Sequence, residues 1–395
     1  MKNLRLIPLL APALLAGCLW QSEEPSSGTI DGMTVNNNES SLSARLSSRD
    51  QEVPVQGAAA KTAAPEKTLT LTLVAEIAPP VVNGIALEAT SVVMKANFAF
   101  VSYASPGDDR LGAIESIHLK AGKNAVLRSQ VLFDDADISG IFHDKDIYLA
   151  ETSSDSAFPS SALLERVVEH GGKFVLRPRE RVALDGSGAT SVAVSGDRVF
   201  VTTADSGGVH VLSLSGLTHL DHVGAPGARW VDADGSRVAV VRGSGRLELY
   251  SFGLSLQNDW LFYQPDSSRS KNTVRLLGDK ALIAAGSGGV RVVNVSTGKT
   301  LGIAPVPASA GAWGARAADA RGDLIYAAYG PSGVYVYRAS SSLDSATGDA
   351  DVSLTLMGRL VLDGVASANH VAFDGNTLVV ASGSGGVKII SVRWR

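Results

Sequence analysis

The chain has one cysteine in 395 residues, Cys18, so no disulfide can form within it and the folded body must hold together by core packing. Aromatic residues are sparse at 6%, and no long amphipathic helical pattern appears. Ser160 to His170 comes nearest to one and reads better as a loop and a strand. Charge of neither sign dominates. With 35 Lys and Arg against 39 Asp and Glu, the net charge of −4 excludes the basic footprint of a nucleic-acid-binding protein. The N-terminal apolar run, Leu6 to Ala16, falls short of the roughly 20 residues that cross a bilayer. A phosphate-binding loop is excluded, because Ser287-Gly288-Gly289 is followed by neither a helix nor a Lys-Ser/Thr pair. The Gly383-Ser384-Gly385 triplet lies in a hairpin context, not on the strand-to-helix turn that would expose a nucleophilic serine.

What is present begins at the N-terminus. Lys2 and Arg5 precede the apolar run, which has the proportions of a secretory signal. Leu15-Ala16-Gly17-Cys18 resembles the lipobox of bacterial lipoproteins, where small residues let the peptidase reach the backbone. That resemblance implies a signal peptide over residues 1–17 and a diacylglycerol on Cys18, which becomes the first mature residue. More than one acyl chain anchors a protein stably. Leu19 after the cysteine, in place of Asp, implies an outer-membrane lipoprotein facing the periplasm or the cell surface. Residues 18–67 are rich in Ser, Asn, Glu, Ala and Pro and poor in bulky apolar residues, and are expected to form a lipid-anchored flexible tether.

Residues 68–395 carry an internal repeat. Gly207-Gly208-Val209-His210-Val211, Gly245-Arg246-Leu247-Glu248-Leu249, Gly288-Gly289-Val290-Arg291-Val292, Ser332-Gly333-Val334-Tyr335-Val336 and Gly385-Gly386-Val387-Lys388-Ile389 each join a tight Gly turn to a strand. A second short apolar strand precedes each one. In the best-preserved unit, Gly188 to Ala225, four strands follow one another through hairpins, which makes one blade. Units 228–263, 271–306 and 312–362 repeat the order, and 83–133 and 137–184 fit with longer turns. The last unit, from Asn369, has three strands and no fourth. Thr68 to Ile77 alternates and belongs to no unit, so it is expected to supply the missing strand. The fold class is therefore all-β, a seven-bladed β-propeller closed by an N-terminal strand that completes the C-terminal blade.

The repeat resembles the LVIVD family of bacterial propeller repeats. The match is carried by Ser191-Val192-Ala193-Val194-Ser195-Gly196-Asp197-Arg198-Val199-Phe200-Val201 with Gly207 to Val211, and by Gly288 to Ser296. The motifs are structural, so the resemblance implies an exported, often surface-associated protein and carries over no catalytic residue.

Inner strands of a propeller line its channel. Aligning the units puts Asn83, Ser139, Thr190, Arg229, Asn272, Trp313 and Asn369 at one position, followed by Gly84, Gly140, Ser191, Trp230, Thr273, Gly314 and His370. A polar ring of this kind either wets the channel mouth or binds a ligand. In the second case Arg229 holds an anion and Trp230 or Trp313 stacks on a ring or sugar, with Asn83, Thr190, Asn272, Asn369 and His370 around them. No metal site is expected. His219 and His222 stand three apart on a strand and should point to opposite faces. His143 and His370 find no third ligand. Asp134, Asp135 and Asp137 offer the one place for Ca²⁺, although the spacing lacks a closing Glu and solvated turns are the default. The expected function is a non-catalytic binding or scaffold module for an envelope protein or other envelope ligand. The alternatives are a propeller enzyme, lactonase-like or quinone-dependent, and a glycan-binding module using Trp230, Trp260 and Trp313.

Overall fold

Short β-branched runs separated by Gly turns cannot bury both faces alone, so they stack as sheets around an axis. In a computed structural model describing residues 25–57, 69–120, 124–205, 207–263, 271–345, 348–362 and 366–394, the chain forms a seven-bladed β-propeller. Blades 1 to 7 begin with inner strands Glu88–Lys95, Ala136–His143, Ala189–Ser195, Ala228–Asp234, Val274–Leu277, Ala317–Arg321 and His370–Asp374. Each continues outward through antiparallel hairpins. Between neighbouring blades lies one apolar cluster, seven in all, so the core is a ring and not a centre. Among the described residues no helix is long and apolar enough to cross a membrane.

Closure is as the repeat count requires. Leu69–Ile77 pairs antiparallel with Val387–Trp394 as the fourth strand of blade 7. Leu71, Leu73 and Ile77 are buried there, and each such side chain contributes roughly 1.5–3 kcal/mol. The glycine of the repeat signature has a physical reason. A Cβ on Gly208, Gly289 or Gly386 would stand 2.0, 2.1 or 2.0 Å from the carbonyl oxygen of Val223, Ala304 or Ile77. The third strand must pass the outer strand with no side chain between them. Gly386 meets Ile77 as Gly208 meets Val223, so the N-terminal strand occupies the place of an ordinary outer strand.

The tether expected over residues 18–67 is corrected for residues 25–57. Gly28–Ile30 and Met33–Asn36 extend blade 1, Leu46–Glu52 adds a fifth strand to blade 7, and Val55–Gln56 adds one to blade 6. A polar segment orders here because the sheet edges already offer unpaired backbone groups, so little apolar surface is needed. Leu46–Glu52 is almost wholly exposed and is held by its backbone ladder and by an ion pair from Arg49 Nε to Glu76 Oε2 at 2.7 Å. The apolar anchors are few but spaced: Met33, Val35, Leu42 and Val53 are all buried. Arg45 adds a charge. Its Nη1 pairs with the fully buried Glu115, which also accepts from Tyr103 Oη at 2.6 Å and Gln130 Nε2 at 2.8 Å. Cys18, and with it the anchor, lies outside the described residues.

Candidate functional site

The inner strands carry a recurring β-bulge. Register shifts fall at Thr90, Ser139, Thr190 and Arg229 in blades 1 to 4. The corresponding residues just before the inner-strand ladders of blades 5 to 7 are Asn272, Arg316 and Asn369. This corrects the aligned ring at two positions. Asn83 sits in the turn of a separate hairpin, Val81–Val82 with Ile85–Ala86, at φ 50°. Trp313 lies in the loop before blade 6 and is 44% exposed, with the Arg316 guanidinium 5.5 Å from its ring centroid. Thr90 and Arg316 take their places. The alignment slipped because the loops before those strands differ in length and a bulge leaves no mark in composition.

Much of this belt joins one blade to the next. The Thr90 hydroxyl donates to the Ile138 carbonyl at 2.6 Å. Arg316 Nη1 donates to Asn369 Oδ1 at 3.0 Å, and Asn369 Nδ2 donates to the Ala89 carbonyl at 2.9 Å, across the closing seam. Ser191 Oγ accepts from Val231 N–H at 3.4 Å, and Thr273 Oγ1 accepts from Ala318 N–H at 3.3 Å. Thr190 bonds within its own blade, to Thr202 Oγ1 at 2.9 Å. The Arg229 guanidinium lies beside Gly243.

Lys271, which the sequence reading missed, crosses this ring. Its Nζ donates to the Thr90 carbonyl at 2.7 Å and lies 3.4 Å from the Ser139 carbonyl, on the opposite blades. Burial pushes its pKa down to about 7, and the Arg316 charge adds to the effect. The ammonium also stands 5.5 Å from the Trp230 ring centroid, and Trp230 stacks on His370 at 5.1 Å and 24°. Burial, with Lys271 and Arg275 nearby, pushes His370 down to about 3, so its ring is neutral. Among the described residues, Ser91 Oγ, Asn272 Oδ1 and His370 Nδ1, buried at this end, have no hydrogen-bond partner.

Beyond Trp230 and His370 a cavity of about 400 Å³ runs along the axis. Val93, Met94 and Phe142 line it with Lys95 and His143 on the side of blades 1 and 2, and Asp232, Arg275 and Asp319 line it on the side of blades 4 to 6. These carboxylates are committed to the frame. Asp232 Oδ2 accepts from Leu276 N–H at 2.7 Å, and Asp319 Oδ2 accepts from Phe373 N–H at 2.6 Å, each on the next blade. Arg275 pairs with Asp319. Nothing in a single sequence marks Lys271, Asp232 or Asp319 as special, because their roles depend on what the neighbouring blade brings opposite them.

The acidic cluster considered for Ca²⁺ is held by arginines. Asp135 accepts from Arg179 at 2.7 Å and from Arg181 at 2.9 Å, and Asp137 from Arg110 at 2.7 Å. Arg179 also grips the buried Glu165, with Nη2 to Oε2 at 2.6 Å. The buried Glu151 beside it is pushed well above the usual carboxylate range by burial and the Glu165 charge. Among the described residues no group of three or more His, Cys, Asp or Glu is arranged to hold a metal ion.

No family model matches the chain, and no curated protein sequence does. Solved structures do resemble it. U3-55K is 15% identical with a TM-score of 0.58, over 77% of this chain and 95% of that one. The Pan2 WD40 domain of Neurospora crassa is 8% identical with a TM-score of 0.52, over 77% and 89%. The WD40 β-propeller domain of Doa1 is 12% identical with a TM-score of 0.52, over 80% and 96%. At these identities the likeness concerns the propeller fold alone.

Proposed function

We propose that this protein is an outer-membrane lipoprotein anchored through Cys18, whose propeller is a non-catalytic binding or scaffold module for an envelope protein. The lipobox-like segment and the resemblance to LVIVD repeats support the address. One structural observation supports the binding role. Blades 6, 7 and 1 have their outer edges covered by the chain's own N-terminal strands. Blades 3 and 4 do not, and three of the six exposed large apolar side chains among the described residues sit on their outer strands: Leu220, Leu256 and Leu261. Uncovered edges with exposed apolar side chains suit an added partner strand.

A photo-crosslinking residue at Leu256 tests this in intact cells. A partner band is expected from that position, absent with the same residue at Ser48 on the covered half, and lost in a crosslinker chain that also carries L261D. Equal capture from both halves overturns the surface assignment. Labelled palmitate entering the wild type but not C18S supports the anchor, and no incorporation overturns it without touching the binding reading.

A second reading rests on the axial cavity with Trp230 at its end: a small ring-bearing ligand such as a sugar, bound there or turned over there. W230A should abolish any glycan-array signal of the wild type, and a blank wild-type array removes the glycan form of this reading.

A further inference from the structure

A β-bulge brings together histidines that simple alternation would separate. In blade 3, strand Gly208–Ser213 pairs with the outer strand His219–Gly224 so that His210 faces His222, Val211 faces Asp221 and Leu212 faces His219. Leu220 is the extra residue. The alternation is skipped once there, so His219 and His222 both turn toward His210, which corrects the opposite-face expectation. His210 Nδ1 stands 3.1 Å from His219 Nε2, and the His222 ring stacks on His210 at 4.3 Å and 24°.

The fully buried His210 has its tautomer set by its surroundings. Its Nε2 faces the Asp185 carbonyl oxygen at 3.3 Å and Thr203 Oγ1 at 3.4 Å. The Thr203 oxygen already accepts from Gly208 N–H at 2.9 Å. A carbonyl only accepts, so the proton belongs on Nε2 and the Nδ1 lone pair faces His219. A ring N–H held by a backbone carbonyl, with the other nitrogen free to ligate, is the usual support of a metal-binding imidazole.

We propose that His210 Nδ1 and His219 Nε2 form a surface site for a late first-row divalent metal ion, such as Zn²⁺ or Cu²⁺, completed by water. Two nitrogens at about 2.05 Å from one ion lie roughly 2.9 Å apart at a right angle and roughly 3.3 Å apart at the tetrahedral angle. The observed 3.1 Å falls between these limits. Imidazole is the ligand such ions favour. The two rings sit on strands locked by ladder hydrogen bonds, so little ordering remains to be done on binding. His219 is exposed, which leaves the outer coordination positions open to solvent. His222 lies parallel to His210, so its nitrogens do not aim at the same ion; it walls the site without joining it.

Isothermal titration of the full chain in detergent, without a histidine tag, with Zn²⁺ as the probe, tests the site. One equivalent is expected to bind, weakened by at least roughly ten-fold in H219A and by less than about three-fold in H222A. Zn²⁺ should raise the unfolding temperature of the wild type and of H222A but not of H219A. Because H210Q removes a buried ring, folding is kept out of the test by a second measurement on wild type: Cu²⁺ at one equivalent should show hyperfine coupling to two imidazole nitrogens by electron paramagnetic resonance. A wild type that takes up no stoichiometric metal holds only an N–H···N hydrogen bond at this place, and the proposal fails. It fails equally if H219A binds Zn²⁺ as the wild type does, or if H222A loses binding instead.

Discussion

Charged groups inside this molecule are tied to particular partners, and two of them make separable predictions. The Lys271 pKa, about 7 in the folded chain against 10.5 for an unperturbed lysine, means that the unfolded chain binds more protons between these values. Stability should therefore fall as pH drops from about 10.5 to 7, by up to about 1.4 kcal/mol per pH unit, and Lys271 should add no further slope below that. In K271M this slope should vanish from urea unfolding measured at pH 7, 8.5 and 10. Parallel pH curves for variant and wild type would show that the lysine keeps its ordinary pKa. Arg179 poses a different case. It is almost wholly buried and holds both Glu165 and Asp135. R179M should cost about 3–5 kcal/mol by chemical denaturation, because it strands a buried carboxylate instead of deleting a pair. A loss below about 1 kcal/mol would mean that the neighbouring Arg181 takes over.

At the scale of strands and turns, the Gly-Gly-Val signature is a statement about clearance. Gly386 has φ +68° and faces the Ile77 carbonyl where a Cβ would go. G386A should destabilise by at least about 2 kcal/mol and loosen the closing seam first. Hydrogen exchange should then quicken in Leu69–Ile77 and Val387–Trp394 before it does in blade 3, and uniform exchange would contradict this. The strands and blade spans were legible in the sequence because Val-rich alternation and Gly turns report burial and turn geometry locally. The bulges were not. A bulge changes register by one residue through pairing with the neighbouring strand, and Arg229, Thr190 or Leu220 looks no different in sequence from any other strand residue. That is why Thr90 and Arg316 were misplaced by Asn83 and Trp313, and why His219 and His222 were assigned to opposite faces.

For the whole ring, the N-terminal residues divide into parts with different duties. Leu69–Ile77 closes the circle, whereas the strands within residues 25–57 only cover blades that are already complete. A chain lacking residues 25–57 should therefore keep its β-sheet circular dichroism and unfold in one transition at a lower temperature. A chain lacking residues 25–77 should lose the single transition, since blade 7 is left with three strands and an open edge. If both truncations behave alike, closure by Leu69–Ile77 is not what holds the ring.

The amino-acid sequence by itself determined the architecture. Turn glycines, alternating apolar residues and an orphan strand are local or countable features, and a propeller follows from them through burial and edge satisfaction. Only the tertiary structure decided which side chains meet. Lys271 reaches across the axis to Thr90 and Ser139, Arg45 meets Glu115, and His210 meets His219 through a skipped alternation. Those meetings depend on register and on the packing of one blade against the next. A one-residue shift leaves composition unchanged while it turns a side chain to the other face.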